Sequence, residues 1–317
     1  MSRIGKLLGT CLVSGRWYLV ILSCLPACNL YSETGKAIVK EKDSPVVIEG
    51  TQRLIVHSET VGGEYRIDIL LPFSYAHGKK HYPVVYLTDS TDFFPTVAGN
   101  IHLLRLTGEL PEVILVGIGY PEGSPVMALR TRDLTPTLDN DYVKEARSDP
   151  YFPLPAHIDP GGAGKFLRFV QQELKPLINS RYRTDRVDET LLGYSFGGLF
   201  GLYVLFNHPE AFDRYVIGSP SIWYDDGVCF RYEAKYANQN RDLTKRVFLS
   251  ANELDALEDP DGIFRSIENV NRMESLLRSR SYPRIRLNSH VFEGETHQSG
   301  VGTTLNRGLR FVFDRLH

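Results

Sequence analysis

Apolar positions along this chain fall into short runs of two kinds. Arg53-Leu-Ile-Val-His57 and Tyr65-Arg-Ile-Asp-Ile-Leu-Leu71 predict a leading antiparallel pair of strands. Tyr82-Pro-Val-Val-Tyr-Leu-Thr88 and Glu112-Val-Ile-Leu-Val-Gly-Ile118 are almost continuously apolar, as strands buried on both faces must be. Further strands are expected at 190–193, 214–218, 246–250 and 285–292. A helix is expected over 164–178, where Phe166, Phe169, Val170, Leu174 and Leu177 recur at helical spacing. Residues 199–206 are apolar all round, which predicts a buried helix. Helices are also expected over 267–278 and 301–316. Strands alternating with helices predict an α/β domain whose mostly parallel sheet is covered on both faces. Residues 121–160 are rich in Pro, Asp and Gly and read as one long loop. No internal repeat interrupts this order.

The first 28 residues follow a different pattern. Arg3, Lys6 and Arg16 make a basic start, and Trp17-Tyr-Leu-Val-Ile-Leu-Ser-Cys-Leu25 is a short apolar run. A bilayer span needs roughly 20 apolar residues, so the run suits the core of a bacterial signal peptide. Leu25-Pro-Ala-Cys28 resembles a lipobox, in which Cys28 would be lipidated and become the new N-terminus. The expected organisation is a signal peptide over 1–28, a polar linker over 29–48 and one domain over 49–317. The expected location is the periplasm, with a lipid tether to the outer membrane. Cys11, Cys24 and Cys28 fall within the leader, so Cys229 alone remains in the body, as a buried thiol without an internal disulfide partner.

Composition narrows the classes of function. Hydrophobic residues make up 42% and charged residues 23%, enough apolar chain to exclude extensive disorder. A formal charge of −2 argues against a broad nucleic-acid footprint.

Candidate chemistry begins at Gly193-Tyr-Ser-Phe-Gly197, a G-x-S-x-G motif between an apolar strand and a buried helix. That is the setting of a nucleophile elbow, with Ser195 as nucleophile. A serine hydroxyl needs a base, and on open sheets with this elbow the chain order is serine, acid, histidine. His290, His297 and His317 follow in the required place. His290 lies inside a strand and His317 is terminal. His297, in the Glu293-Gly-Glu-Thr-His297 loop beyond a strand end, is where catalytic groups collect. Glu253, Asp255, Glu258 and Asp259 follow the strand at 246–250, and by spacing Glu253 and Asp255 both serve as the acid. The backbone N–H groups of Phe196 and of Ser90, in the turn after the strand at 83–88, are the expected oxyanion donors.

Together these residues resemble the esterase D-like family of α/β-hydrolases, over most of residues 50–317. Within it they resemble the ferric siderophore esterases acting on enterobactin, salmochelin and bacillibactin. The resemblance is carried by Tyr82-Pro-Val-Val-Tyr-Leu-Thr-Asp89, by Arg130-Thr-Arg-Asp-Leu-Thr-Pro136, by the elbow with Ser219-Pro-Ser-Ile-Trp223, and by the His297 loop. It implies the α/β-hydrolase fold and ester hydrolysis through an acyl-enzyme, without a metal or organic cofactor. Any iron belongs to the substrate. The alignment places Asp255 at the acid position, with Asn252 where the family has glycine; a Ser–His dyad is the alternative. A ferric catecholate is anionic and aromatic, which suggests Arg130 and Arg132 for its oxygens and Trp223, Tyr224 and Phe94 for its rings. Feruloyl or acetyl carbohydrate esterases share the elbow. A non-catalytic binding or adhesion protein on the same scaffold is the alternative of another class.

Overall fold

Eight strands among the described residues form one sheet: β1 (Thr51–Ser58), β2 (Gly63–Leu70), β3 (Tyr82–Leu87), β4 (Ile114–Gly119), β5 (Thr184–Tyr194), β6 (Arg214–Gly218), β7 (Arg246–Asn252) and β8 (Arg286–Phe292). Their spatial order is β1-β2-β4-β3-β5-β6-β7-β8. The β1–β2 and β2–β4 pairs are antiparallel, and the others are parallel. The structure is a computed structural model and describes residues 45–314 apart from 152, 260, 261 and 263. Cys28, the leader and His317 lie outside the described residues. From Val47 onward the chain is one compact unit.

Each parallel strand sends alternate side chains to opposite faces, and each face has its own core. Val84, Tyr86, Leu191 and Ile217 belong to one cluster, while Val85, Leu87, Leu192 and Val216 belong to the other. The second face is covered by α1 (Ser90–Leu106) and the closing helix α9 (Gly300–Phe313). The first is covered by α4 (Ala163–Phe169), α6 (Phe196–Asn207), α7 (Tyr224–Gln239) and α8 (Ser266–Ser279). The sheet is therefore mostly parallel with helices on both faces, and the fold is that of an α/β-hydrolase.

Several elements depart from the periodicity reading. The long segment 121–160 is not one loop but carries α2 (Val126–Leu134) and α3 (Asn140–Arg147). Helix α2 shows no clear apolar stripe because it buries Arg130, Thr131 and Asp133 along with Ala128 and Leu134. Helices α1 and α7 are additional. Pro95 interrupts the pattern of α1, and Asp225, Asp226 and Gly227 open α7 with positive φ. The expected helix at 164–178 is α4 and α5 (Lys175–Arg181) joined by a π-turn over Val170–Leu174. Pro176 has no N–H, so the ladder resets there, and the Lys175 N–H donates to the Val170 carbonyl.

Cys229 in α7 is fully buried, and burial pushes its thiol pKa well up. Iodoacetamide should leave Cys229 unmodified in the native protein and alkylate it completely after unfolding, as read by mass spectrometry. Rapid native labelling would contradict this packing.

Candidate active site

Ser195 sits between β5 and α6 at φ 58° and ψ −119°, a conformation that L-residues rarely adopt. Such a residue stores about 1–3 kcal/mol and persists only where its surroundings hold it. Here its N–H donates to the Gly218 carbonyl at 3.0 Å, and its own carbonyl accepts from Leu199 at 2.9 Å and Ser221 at 3.2 Å. The flanking glycines are steric requirements of the same turn. A Cβ on Gly193 would run into the Gly197 main chain, and one on Gly197 into the Thr88 hydroxyl. Phe196 opens α6, whose first N–H groups have no acceptor within the helix. The positive end of that helix therefore lies at the serine.

Sheet register brings the other groups to the same edge. The parallel pairing of β7 with β8 runs as far as Asn252 opposite Phe292, so the turns beyond both strands lie side by side. Asp255 follows β7 and His297 follows β8. His297 Nδ1 lies 3.4 Å from Asp255 Oδ1. Asp255 is 4% exposed. Its carboxylate accepts from the Ser219 hydroxyl, from Asn252 Nδ2 at 3.1 Å and from the Asn252 N–H at 3.4 Å. Burial acts to raise the Asp255 pKa, but the bonds from His297, Ser219 and Asn252 together outweigh it and hold the group below its ordinary value. An imidazole tied through Nδ1 to a carboxylate leaves Nε2 as the proton acceptor.

The two acids left open by spacing are separated by this geometry. Glu253 is exposed, and its carboxylate accepts from the Gly294 N–H at 2.8 Å. It braces the histidine loop from outside, whereas Asp255 faces the ring.

Ser195, His297 and Asp255 line one cavity of about 200 Å³ with Phe196 and Trp223. Ser219, Ser221, Phe264 and Ser266 complete its wall. Trp223 stands 4.9 Å from Phe264 and 6.1 Å from Phe196, ring centre to ring centre, so one side is aromatic. The Ser221 hydroxyl lies 3.5 Å from that of Ser195. A larger hollow of about 1040 Å³ lies by Lys80 and Glu112, just before β3 and β4. That is the opposite end of the parallel strands from Ser195, and none of the groups above lines it.

Other expected residues are placed elsewhere. Arg130 is not free for an anionic ligand. It is 9% exposed and donates twice to Asp89, at 2.8 and 3.1 Å. Its guanidinium also lies 5.2 Å from the Phe196 ring centre, so it braces the β3–α1 turn against the elbow. Arg132 is likewise engaged with Asp133 at 2.7 Å. Ser90 is 0% exposed and its hydroxyl donates to Asp68 at 2.9 Å. It opens α1, so its main-chain N–H, the group expected as oxyanion donor, has no acceptor within the helix, although the side chain is not part of the cavity wall. Phe94 belongs to the α1 core, and Tyr224 is buried with its hydroxyl on the Thr137 carbonyl at 2.8 Å. Phe264 and Ser266 were missed because nothing in their local pattern marks them. Only the turn leading into α8 carries them to the cavity.

Breaking a buried ion pair leaves a charge uncompensated and costs about 3–5 kcal/mol. Arg130→Ala should therefore lower stability by about that much, through Asp89. Chemical denaturation measures this, and a variant as stable as the parent would restore Arg130 to the ligand-binding candidates.

Comparison with known proteins gives the family. The Esterase family model matches residues 58–310. The chain is 32% identical over 275 residues to the ferri-bacillibactin esterase BesA of Bacillus subtilis, covering 84% of this chain and 90% of that protein. It is 25% identical over 303 residues to the siderophore triacetylfusarinine C esterase of Aspergillus fumigatus, covering 86% and 97%. The crystal structure of the BES protein from Bacillus cereus superposes with a TM-score of 0.73 at 28% identity, over 86% of this chain and all of that one. A strained serine at an elbow, on this strand order and within these matches, places the chain in the Esterase family, as a serine ester hydrolase of the α/β-hydrolase fold.

Proposed function

We propose that this protein hydrolyses the ester backbone of a ferric catecholate siderophore through Ser195, His297 and Asp255. The observation that carries the mechanism is the shared cavity, in which a serine at an elbow meets a histidine already backed by a buried carboxylate. His297 Nε2 takes the proton as Ser195 Oγ attacks the ester carbonyl. The carbonyl oxygen becomes an oxyanion, stabilised by the Phe196 N–H at the start of α6. The second donor is assigned to the β3–α1 turn, against which Gly197 packs. Collapse of the intermediate expels the alcohol, which leaves with the proton from His297. Water then repeats the sequence on the acyl-enzyme and releases the acid. Asp255 orients the imidazole and stabilises its cation throughout.

The catecholate class rests on relatives whose names specify ferri-bacillibactin and enterobactin, while the triacetylfusarinine C esterase supports siderophore ester hydrolysis more broadly. The cavity supports a bulky substrate presented one arm at a time. Sites that enclose a whole drug-sized ligand measure roughly 300–1,000 Å³. At about 200 Å³ this one suits a single aromatic arm laid against the wall that Trp223 and Phe264 form together, with the iron-bearing remainder in solvent. The leader motif extends the proposal to export, with lipidated Cys28 tethering the enzyme to the periplasmic side of the outer membrane.

The test uses the chain from about residue 30, incubated with ferric enterobactin and separately with methyl ferulate. Mass spectrometry should find linear dihydroxybenzoylserine fragments from the siderophore. Turnover of ferulate alone would keep the mechanism and move the substrate to plant polysaccharide. Turnover of neither, with no organophosphate labelling of Ser195, would favour a binding protein.

A further inference from the structure

The strands that deliver Ser195 and Asp255 also end in two side chains absent from the mechanism above. Tyr194 is the last residue of β5, directly before the nucleophile, and Asn252 is the last residue of β7. Strand β6 lies between them in the sheet. Tyr194 crosses it over Gly218, where any Cβ would overlap the tyrosine ring. The Tyr194 hydroxyl then donates to the His297 carbonyl at 2.7 Å and accepts from Asn252 Nδ2 at 2.6 Å. The same Nδ2 donates to Asp255 Oδ1 at 3.1 Å. One amide group thus joins the carboxylate behind the histidine to the hydroxyl that holds the histidine's own main chain.

The chemistry dictates which way the amide points. The tyrosine proton is committed to the His297 carbonyl, so its oxygen needs a donor. The ionised carboxylate also needs a donor. Turning the amide over would set its oxygen against both. Asn252 Oδ1 instead faces Gly300, where a Cβ would overlap it, and among the described residues this buried oxygen has no hydrogen-bond partner. Packing alone would favour an apolar side chain at such a site.

We propose that Tyr194 and Asn252 are positioning residues, which lock His297 and Asp255 into one geometry relative to Ser195. The proposal rests on the reading of His297 as base and Asp255 as its orienter.

The experiment uses the intact chain with p-nitrophenyl butyrate, and counts active sites by fluorophosphonate labelling run to completion. Tyr194→Phe removes one oxygen and keeps the ring. Its kcat per titrated site should fall roughly 10- to 100-fold, the scale of a misplaced catalytic group. KM should stay within about twofold, because uniform substrate binding is untouched. Asn252→Ala should behave alike, and the double variant should lose little more than the worse single, as members of one network do. An unchanged kcat per titrated site in Tyr194→Phe would overturn the proposal, even if the melting temperature or the titratable fraction dropped. Should Asn252→Ala fail to fold, Tyr194→Phe decides alone. His297→Ala is the control. Parental turnover in that variant would remove the base assignment itself, whereas its loss beside a normal Tyr194→Phe removes only the positioning roles.

Discussion

Ser195→Ala is expected to keep the fold and lose about 10⁴- to 10⁶-fold in kcat on any ester the parent hydrolyses. The magnitude follows from what the substitution removes. The hydroxyl is the only atom of the residue that takes part in covalent chemistry, and without it His297 can do no more than activate water. The residual rate over solution would come from the helix N-terminus and from binding. Stability should not fall. Alanine keeps the Cβ, and the main-chain bonds to Gly218, Leu199 and Ser221 survive the substitution. Steady-state kinetics with a circular-dichroism melt would test both halves. Hydrolysis retained within tenfold of the parent would exclude Ser195 as nucleophile, whatever the sequence motif suggests.

The second large effect separates the two acids. Asp255→Asn should cost about 10³- to 10⁴-fold in kcat, because an amide neither fixes the imidazole tautomer nor stabilises the imidazolium. Glu253→Gln should stay within about threefold, since Glu253 meets the histidine loop only through the Gly294 N–H and an amide oxygen can accept that bond. Equal losses in the two variants would contradict the separation, and full activity in Asp255→Asn would indicate a serine–histidine dyad. Asp255 also has a signature in acid. Its pKa is held down in the folded protein, so its stabilising contribution is complete above the unfolded carboxylate value of about 3.9. That contribution is lost as pH falls through the lower folded value. In urea titrations between about pH 5 and 2, Asp255→Asn should show a shallower decline of stability than the parent.

Much of this site is legible in the chain itself. The elbow is local, because G-x-S-x-G needs only a strand before it, a helix after it and room where Gly193 and Gly197 pack. His297 follows from its place in a loop beyond the last strand. Arg130 reads differently in sequence and in space. Along the chain it is a candidate for the oxygens of an anionic ligand, but it folds inward onto Asp89, 41 residues earlier. No local pattern encodes so distant a partner. The Ser90 hydroxyl likewise turns to a distant partner, Asp68, while the expected donor is its main-chain N–H at the start of α1. Helix α2 carries no apolar stripe because the polar groups it buries are satisfied by tertiary partners, and α3 carries none because it is two turns long and buries Val143 alone.

By itself, then, the sequence determined the α/β class and the positions of all eight strands, and it singled out a candidate nucleophile, a candidate histidine and a choice between two acids. These are set by periodicity and by short motifs, whose physics acts over a few residues. The tertiary structure alone decided that Asp255 rather than Glu253 meets the histidine, because that depends on how β7 and β8 pair. It also decided that Arg130 is a brace, and that Tyr194 reaches Asn252 across a glycine in β6. Such contacts join residues far apart in the chain, and their energies depend on burial and orientation that exist only once the sheet has formed.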